Sequence, residues 1–379
     1  PTHRMGAFAN FRSEEDQTKA LQLLNGFKFK NKVLEAVPAK PTQDPLVKKR
    51  KQEADGEARG GKKKKFAAES SEPLGNMPYE EQLLVKQKQV EEIFVEFQKE
   101  LKKANENNSK LDIELKPIVP SPEILAYRNK VEFTVGKDSN GDICVGNRIG
   151  SYVSGNLEVE KAENLKIAPE RMKLAAKHYQ DLVKSSKHEP YCAETNQGNW
   201  KQLTVRLNND SLMLIVGVNP QNLTPEDIQQ IQNDSVKFFT EDDERKELNV
   251  KSLYYEDVGK RQPGQKCSIL KHLYGDTHIH DYLLGQRFRI SPSSFFQVNT
   301  KAAEKLYEQI ISLAGATTDS TVLDVCCGTG TIGLSIAKHC KQVLGMEIIP
   351  EAIEDANINA KENGIENAKF TVGSAEDHI

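Results

Sequence analysis

The chain has 379 residues, enough for two or three domains, with 37% apolar and 28% charged residues and a net charge of −3. No apolar run approaches the roughly 18 residues that a membrane span needs, and nothing at the start reads as a signal or transit peptide. Six cysteines without a CxxC pair exclude a disulfide scaffold and a zinc finger or ribbon, so a reducing compartment is the default.

Residues 1–37 read as strand, short helix and second strand: THRMGAFANF, SEEDQTKALQLLNG, then FKFKNKVLEAV ending at Val37. Ser13 suits the helix N-cap and Gly26 its C-terminal end. The octamer Arg4–Phe11 resembles the RNP1 strand of an RNA-recognition motif. Arg4, Ala7, Phe8 and Phe11 fit that pattern, whereas Met5 and Gly6 depart from it and remove one stacking platform. The resemblance implies the C-terminal half of such a motif, with Arg4 and Phe8 as RNA-contacting candidates. A small α/β domain with Phe8 in ordinary packing is the other reading.

Residues 38–78 read as a linker, bounded by Pro38, Pro41, Pro45, Pro73 and Pro78. Within it, 48–65 (KKRKQEADGEARGGKKKK) holds nine basic and three acidic residues, leaving −9 for the remainder of the chain. Two tetrabasic clusters at this spacing resemble a bipartite nuclear-localisation signal, and a nuclear import carrier is the implied partner. An RNA-attracting basic arm, or a plain solvated linker, is the alternative. Nucleus and cytosol are the expected compartments.

Residues 79–290 read as a helix followed by a mixed α/β region. Leu83, Leu84, Val90, Ile93, Phe94, Phe97 and Leu101 recur at helical spacing, which predicts an amphipathic packing helix over 79–103. Strands are predicted at 127–135, after the Asn-Gly hairpin of KDSNGD, at 202–218 around Asn-Asn-Asp, and at 252–258. Helices fit 169–183 and 225–239, the second with Thr224 as cap and Pro225 at its first position. Arg128, Lys130, Arg148 and Arg206 fall on this β-rich surface, where a basic set can hold RNA phosphates. Each is equally readable as an ordinary exposed side chain. His272, His278 and His280 with Asp276 and Asp281 lack metal-ligand spacing, and a solvated or hydrogen-bonded role is favoured over a metal site.

From residue 291 the pattern changes. FRISPSSFFQVN (288–299) predicts a turn, two aromatics and a helix start capped by Asn299 or Thr300, with Phe295, Phe296 and Gln297 available to wall a pocket. Strand Thr321–Val325 leads into Cys326-Cys327-Gly328-Thr329-Gly330, and a helix runs to about Cys340. Strand Gln342–Met346 ends at Glu347, a helix opens at Pro350, and a third strand spans Ala368–Val372. This β-α-β-α-β order is the nucleotide-binding half of a doubly wound parallel sheet. Gly328-x-Gly330-x-x-Gly333 lets the backbone approach a ligand. Glu347, 17 residues past Gly330, is placed for two ribose hydroxyls. Asp324 before the loop, able to meet a cationic amino-acid end, favours S-adenosylmethionine over NAD.

SPSSFFQVN, LDVCCGTGTIG and GMEIIPEAIEDANINAKENG, with YRNKVEF and GNRIGSY, resemble the S-adenosylmethionine-dependent RNA uridine-5-methyltransferases over nearly the whole chain. The resemblance implies a class I Rossmann-like methyltransferase domain over 291–379, here truncated. It also implies a mixed α/β RNA-binding middle domain over 79–290 and a partial RNA-recognition motif over 1–37. The implied activity is methylation of uridine C5 in the T-loop of tRNA, at position 54, by a monomer. The implied cofactor residues are Gln297, Asp324, Cys326, Gly328, Gly330 and Glu347. Family members often carry an aromatic where Cys326 stands.

C5 of uracil is too weak a nucleophile to attack a methyl sulfonium. The family's chemistry therefore uses a cysteine thiolate that adds to C6 and a base that later takes the C5 proton. The family's Ser-Cys-Asn-Pro-like nucleophile motif, its Asp-Pro-Pro-Arg-like motif and its C-terminal Glu do not occur here. The chain begins with Pro1 and stops three strands into a pattern for which the family uses seven. Both ends are thus expected to be cut, and this chain alone is expected to be inactive. A non-catalytic RNA-binding protein, and an rRNA-directed or mitochondrial uridine-5-methyltransferase, stay open as alternatives.

Overall fold

A computed structural model describes residues 14–29, 32–37, 72–104, 113–149, 157–208, 211–259 and 269–378. Ser13, the Arg4–Phe11 octamer with Arg4 and Phe8, the 48–65 basic run, Gly150–Tyr152 and Cys267 lie outside the described residues. The chain divides into two units, residues 1–60 with 153–155, and the remainder.

In the first unit, α1 (Glu14–Leu24) is followed by β1 (Lys28–Phe29) and β2 (Lys32–Val33). The single strand expected over 27–37 is instead an antiparallel hairpin with Phe29 opposite Lys32. Folding back gives backbone groups the partners that a lone strand lacks: Leu34 N–H donates to Phe27 and Gly26 N–H to Leu34.

The second unit opens with α2 (Tyr79–Ala104). Its first half packs: Tyr79 Oη accepts from Ser121 N–H at 2.7 Å and Gln87 Oε1 from Ile118 N–H at 2.9 Å. The packing role expected for the whole helix stops there, because Val90, Ile93 and Phe97 are exposed.

A seven-stranded sheet follows, built from β3 (Lys130–Lys137), β4 (Ile143–Arg148), β5 (Val159–Lys161), β6 (Trp200–Asn208), β7 (Ser211–Val218), β8 (Val250–Asp257) and β9 (Ile269–Gly275). Its order is β5-β4-β3-β6-β7-β8-β9, and only the β7–β8 pair is parallel. Asn-Gly makes the β3–β4 turn as expected: Gly141 takes φ +86°, and Asp138 Oδ1 accepts from the N–H groups of Asn140 and Asp142. One face is covered by α3 (Glu170–Ser185) and α4 (Pro225–Thr240), with Phe133, Leu203, Leu214, Tyr179 and Trp200 fully buried between. Thr224 and Asp227 form a reciprocal capping box at the start of α4. The Lys187 ammonium, then the Thr224 donors, hold the Asp227 carboxyl down to about 2.

The opposite face of β7 and β8 shares a core with the C-terminal elements. These are the hairpin β10 (Ile279–Leu283) and β11 (Gln286–Ile290), α5 (Thr300–Ala314), α6 (Thr331–Ile336) and α7 (Pro350–Glu362). Asn299 caps α5, its Oδ1 accepting from Ala302 N–H at 2.9 Å. Strands β12 (Thr321–Val325), β13 (Gln342–Glu347) and β14 (Ala368–Val372) form a parallel sheet in that order, within one residue of the boundaries the sequence predicts. Val343 and Phe370 are buried on one of its faces; Leu323 and Leu344, paired in register, are exposed on the other.

Candidate functional site

The carboxyl ends of β12 and β13 carry the site. Beyond Val325 the chain turns through Cys326 (φ +60°), Gly328 (φ +55°) and Gly330 (φ +78°). A Cβ on Gly330 would stand 2.9 Å from the Phe370 ring, so both φ and packing require glycine. A Cβ on Gly328 would meet nothing within 4 Å, which leaves open space beside the loop backbone. Across the strand ends, Glu347 Oε2 accepts from Gly328 N–H at 3.2 Å, and Oε1 from Ile348 and Ile349 N–H at 2.7 and 3.1 Å. The carboxylate predicted for ribose therefore lies directly against the glycine turn.

Asp324 precedes the loop, as its place in the sequence predicts. It is 8% exposed, and its Oδ2 accepts from Gly333 N–H at 2.8 Å, one turn into α6. Alternation along β12 sends this side chain to the covered face of the sheet, where it ties the helix to the strand. Burial raises its carboxyl above the ordinary range. Cys326 is exposed on the loop. Cys327 is buried, and that burial, reinforced by the Asp324 and Glu347 charges, pushes its thiol up to about 12, which keeps it protonated at neutral pH.

The FFQVN segment is pinned at both ends. Downstream, Asn129 Nδ2 donates to the Gln297 carbonyl (2.8 Å) and to Thr300 Oγ1 (2.9 Å), and Thr300 donates to the buried Asp281 carboxylate (2.9 Å). Upstream, Arg206 Nη2 donates to the Ser294 carbonyl at 2.5 Å and the Pro292 carbonyl at 3.3 Å. The two aromatics divide: Phe296 is buried against Phe288, in one core with Cys327, whereas Phe295 is 72% exposed. Gln297 is half-buried between the two anchors.

Arg206 is thus a correction to the expected basic surface, being 4% exposed and committed to this turn. Burial holds its guanidinium down to about 10, still charged at neutral pH. Arg128, Lys130 and Arg148 are half-buried. Arg128 Nε donates to the Lys130 carbonyl, and Lys130 Nζ lies 2.7 Å from Glu132. Arg128, Lys130, Asn147, Arg206 and Phe295 line a cavity of about 510 Å³.

The histidines are held by hydrogen bonds. His280 Nδ1 accepts from Arg287 Nη2 at 3.0 Å and His278 Nδ1 lies 3.2 Å from Thr277 Oγ1; burial lowers both imidazoles.

Three residues went unread in the sequence. Asp355 and Asn359 of α7 and Asn363, its C-cap, recur at every fourth residue and bond the backbone of β11 and of the turn after it. Asn363 accepts from Arg287 N–H (2.9 Å) and donates to the Arg287 carbonyl (2.7 Å). Asn359 accepts from Arg289 N–H (2.7 Å) and donates to the Thr329 carbonyl in the glycine loop (3.1 Å). Asp355 accepts from Ser291 N–H (3.2 Å), Ser291 Oγ (2.9 Å) and Ser294 Oγ (2.7 Å). Their signal was polar residues in phase with the buried Ala352, Ala356 and Ala360.

Residues 316–379 match a family model described as a methyltransferase domain. The chain is 39% identical to tRNA (uracil-5-)-methyltransferase homolog A of Homo sapiens over 98% of its length and 61% of the relative's. It is 37% identical to tRNA (uracil-5-)-methyltransferase homolog B of Danio rerio, over 80% of this chain and 64% of that one. The chain therefore spans a little over three-fifths of the curated relatives it matches. The resemblance read from the glycine loop and the FFQVN segment extends along nearly all of it. Among solved structures, Pyrococcus abyssi tRNA (uracil-54, C5)-methyltransferase in complex with S-adenosyl-L-homocysteine superposes with a TM-score of 0.58 at 21% identity, over 79% of this chain and 64% of that one. That likeness shows a methyltransferase-like α/β fold.

Proposed function

We propose that this chain carries the cofactor-binding and RNA-facing part of an S-adenosylmethionine-dependent methyltransferase acting on uridine C5 in tRNA, at the T-loop position 54. The observation that carries the reading is the Glu347 carboxylate set against Gly328, at the ends of two adjacent parallel strands. The open space at the Gly328 Cβ position and the acceptors of Glu347 fit a nucleoside that brings its ribose hydroxyls to the turn. Gly328 lets the backbone approach the ligand, Gly330 lets the loop pack on Phe370, and Gln297 is assigned the amide that the FFQVN segment offers. Bound S-adenosylmethionine supplies an electrophilic methyl group on a sulfonium sulfur. Cys327, protonated and buried, is no candidate for attack on C6 of the base, and no nucleophile is assigned to the cysteines described here. The similarity to two named tRNA methyltransferases supports tRNA as the substrate class. Arg128 and Lys130, which line the cavity beside Phe295, and Arg148 at the end of β4 supply the positive charge for its backbone. In the same reading, residues 1–37 belong to an RNA-recognition motif, and the 48–65 run takes the protein into the nucleus.

Calorimetric titration tests the site. S-adenosylhomocysteine should bind and NAD should not. Glu347→Ala should weaken the former roughly 10- to 100-fold, as loss of charged hydrogen bonds predicts. Unchanged affinity would remove Glu347 from the ribose site, and NAD binding would overturn the cofactor class.

A further inference from the structure

We propose that Ser294 is a positioning residue, which joins the seven-stranded sheet to the glycine loop and fixes the segment bearing Phe295 and Gln297. The proposal rests on the cofactor reading above.

Ser294 is itself buried and is gripped from two sides. Its carbonyl accepts from Arg206 on β6, and its hydroxyl donates to Asp355 on α7, at 2.5 and 2.7 Å. Asp355 is 1% exposed, and its remaining partners, Ser291 and Arg289 (Nε at 3.1 Å), belong to the same stretch of chain. A buried cation and a buried anion are thus bridged by one serine. The Arg206 grip is on the backbone carbonyl and survives any change of side chain; removing the hydroxyl leaves the buried Asp355 carboxylate one donor short where water cannot replace it.

The consequence lies in what each grip is attached to. Helix α7 begins three residues after Glu347, and Asn359, one turn beyond Asp355, holds the Thr329 carbonyl of the glycine loop. Glycine loop, Glu347 and α7 therefore form one body. Ser294 is where that body takes hold of the chain, immediately before Phe295, Phe296 and Gln297. At the C-cap of that helix, Asn363 grips β11 at Arg287 without touching the loop. It is the control, a helix-to-chain grip with no bond to the loop or to Ser294.

The test uses residues 1–379 as wild type, Ser294→Ala, Ser294→Thr and Asn363→Ala. Hydrogen exchange of the 291–299 peptide is read without ligand, and S-adenosylhomocysteine affinity by calorimetry. Ser294→Ala should speed exchange of that peptide at least tenfold and weaken affinity about tenfold. Ser294→Thr, which keeps the hydroxyl, should restore both to within about threefold of wild type. Asn363→Ala should lower the melting temperature while leaving both quantities near wild type. Unchanged exchange in Ser294→Ala overturns the proposal outright, as does an equal loss of affinity in Asn363→Ala. If exchange responds but wild type binds no S-adenosylhomocysteine, the clamp stands, whereas the cofactor reading and the link to it fall.

Discussion

The seven-stranded and the three-stranded sheet of the larger unit are both written in apolar residues, yet they use them differently. SLMLIVGV of β7 is buried along almost its whole length, because helices cover one face and the β10–β11 hairpin with α5 covers the other. TVLDV of β12 reads just as apolar, but Leu323 is 48% and Val325 40% exposed, with Leu344 of β13 beside them at 38%. Among the described residues this parallel sheet has one covered face. A continuous apolar run in a parallel strand announces two-sided burial. It does not say which elements supply the second cover.

That contrast has measurable edges. Leu214→Ala, fully buried in β7, should cost about 3–5 kcal/mol in urea denaturation, whereas Leu344→Ala should cost under about 1 kcal/mol. Equal costs would mean that the open face is covered in solution. A smaller effect is expected where the sheets meet. Arg206→Ala should cost about 2–3 kcal/mol, because the Ser294 and Pro292 carbonyls lose a charged donor in a buried place. A cost near zero would return Arg206 to the surface. The smallest effect is local to α4. Thr224→Ala should cost about 1 kcal/mol through the lost cap, visible as a lower melting temperature. Asp227→Asn should destabilise at neutral pH as well. The depressed carboxyl stabilises the fold above its unfolded value of about 4, and that contribution is lost as pH falls towards 2. The gap between variant and wild type should therefore close over that interval. A constant gap would mean that the Asp227 charge is not what stabilises the helix start.

How legible each part was follows from the same physics. Strands β12 and β14 were readable to the residue and β13 to within one, because Gly and Pro punctuate short apolar runs. The β10–β11 hairpin was not. Its turn is Leu284-Gly285, with leucine in the left-handed region at φ +50°, where Asn-Gly would have announced it. Arg206 was misread because Thr204, Arg206 and Asn208 alternate with apolar residues, which reads as a solvent face. The SPSS turn covers that face instead, and Thr204, Arg206 and Asn208 are all buried. Asp324 sits where the sequence places it, yet strand alternation aims it inward. Glu347 ends its strand beside the loop, as both its spacing and its residue type predict.

The ladder from α7 to β11 has a consequence for how this molecule meets others. A strand at the rim of a two-stranded hairpin ordinarily shows a row of unpaired donors and acceptors on which a second chain can add. Here the donors are taken: the N–H of Arg287 by Asn363, of Arg289 by Asn359 and of Ser291 by Asp355, with the Arg287 carbonyl held by Asn363 as well. Asparagine suits the first two places because it gives and receives at once, which neither aspartate nor leucine does. The helix that holds the glycine loop through Asn359 thus also takes up the donors along this rim that a second copy of the protein would need for strand addition.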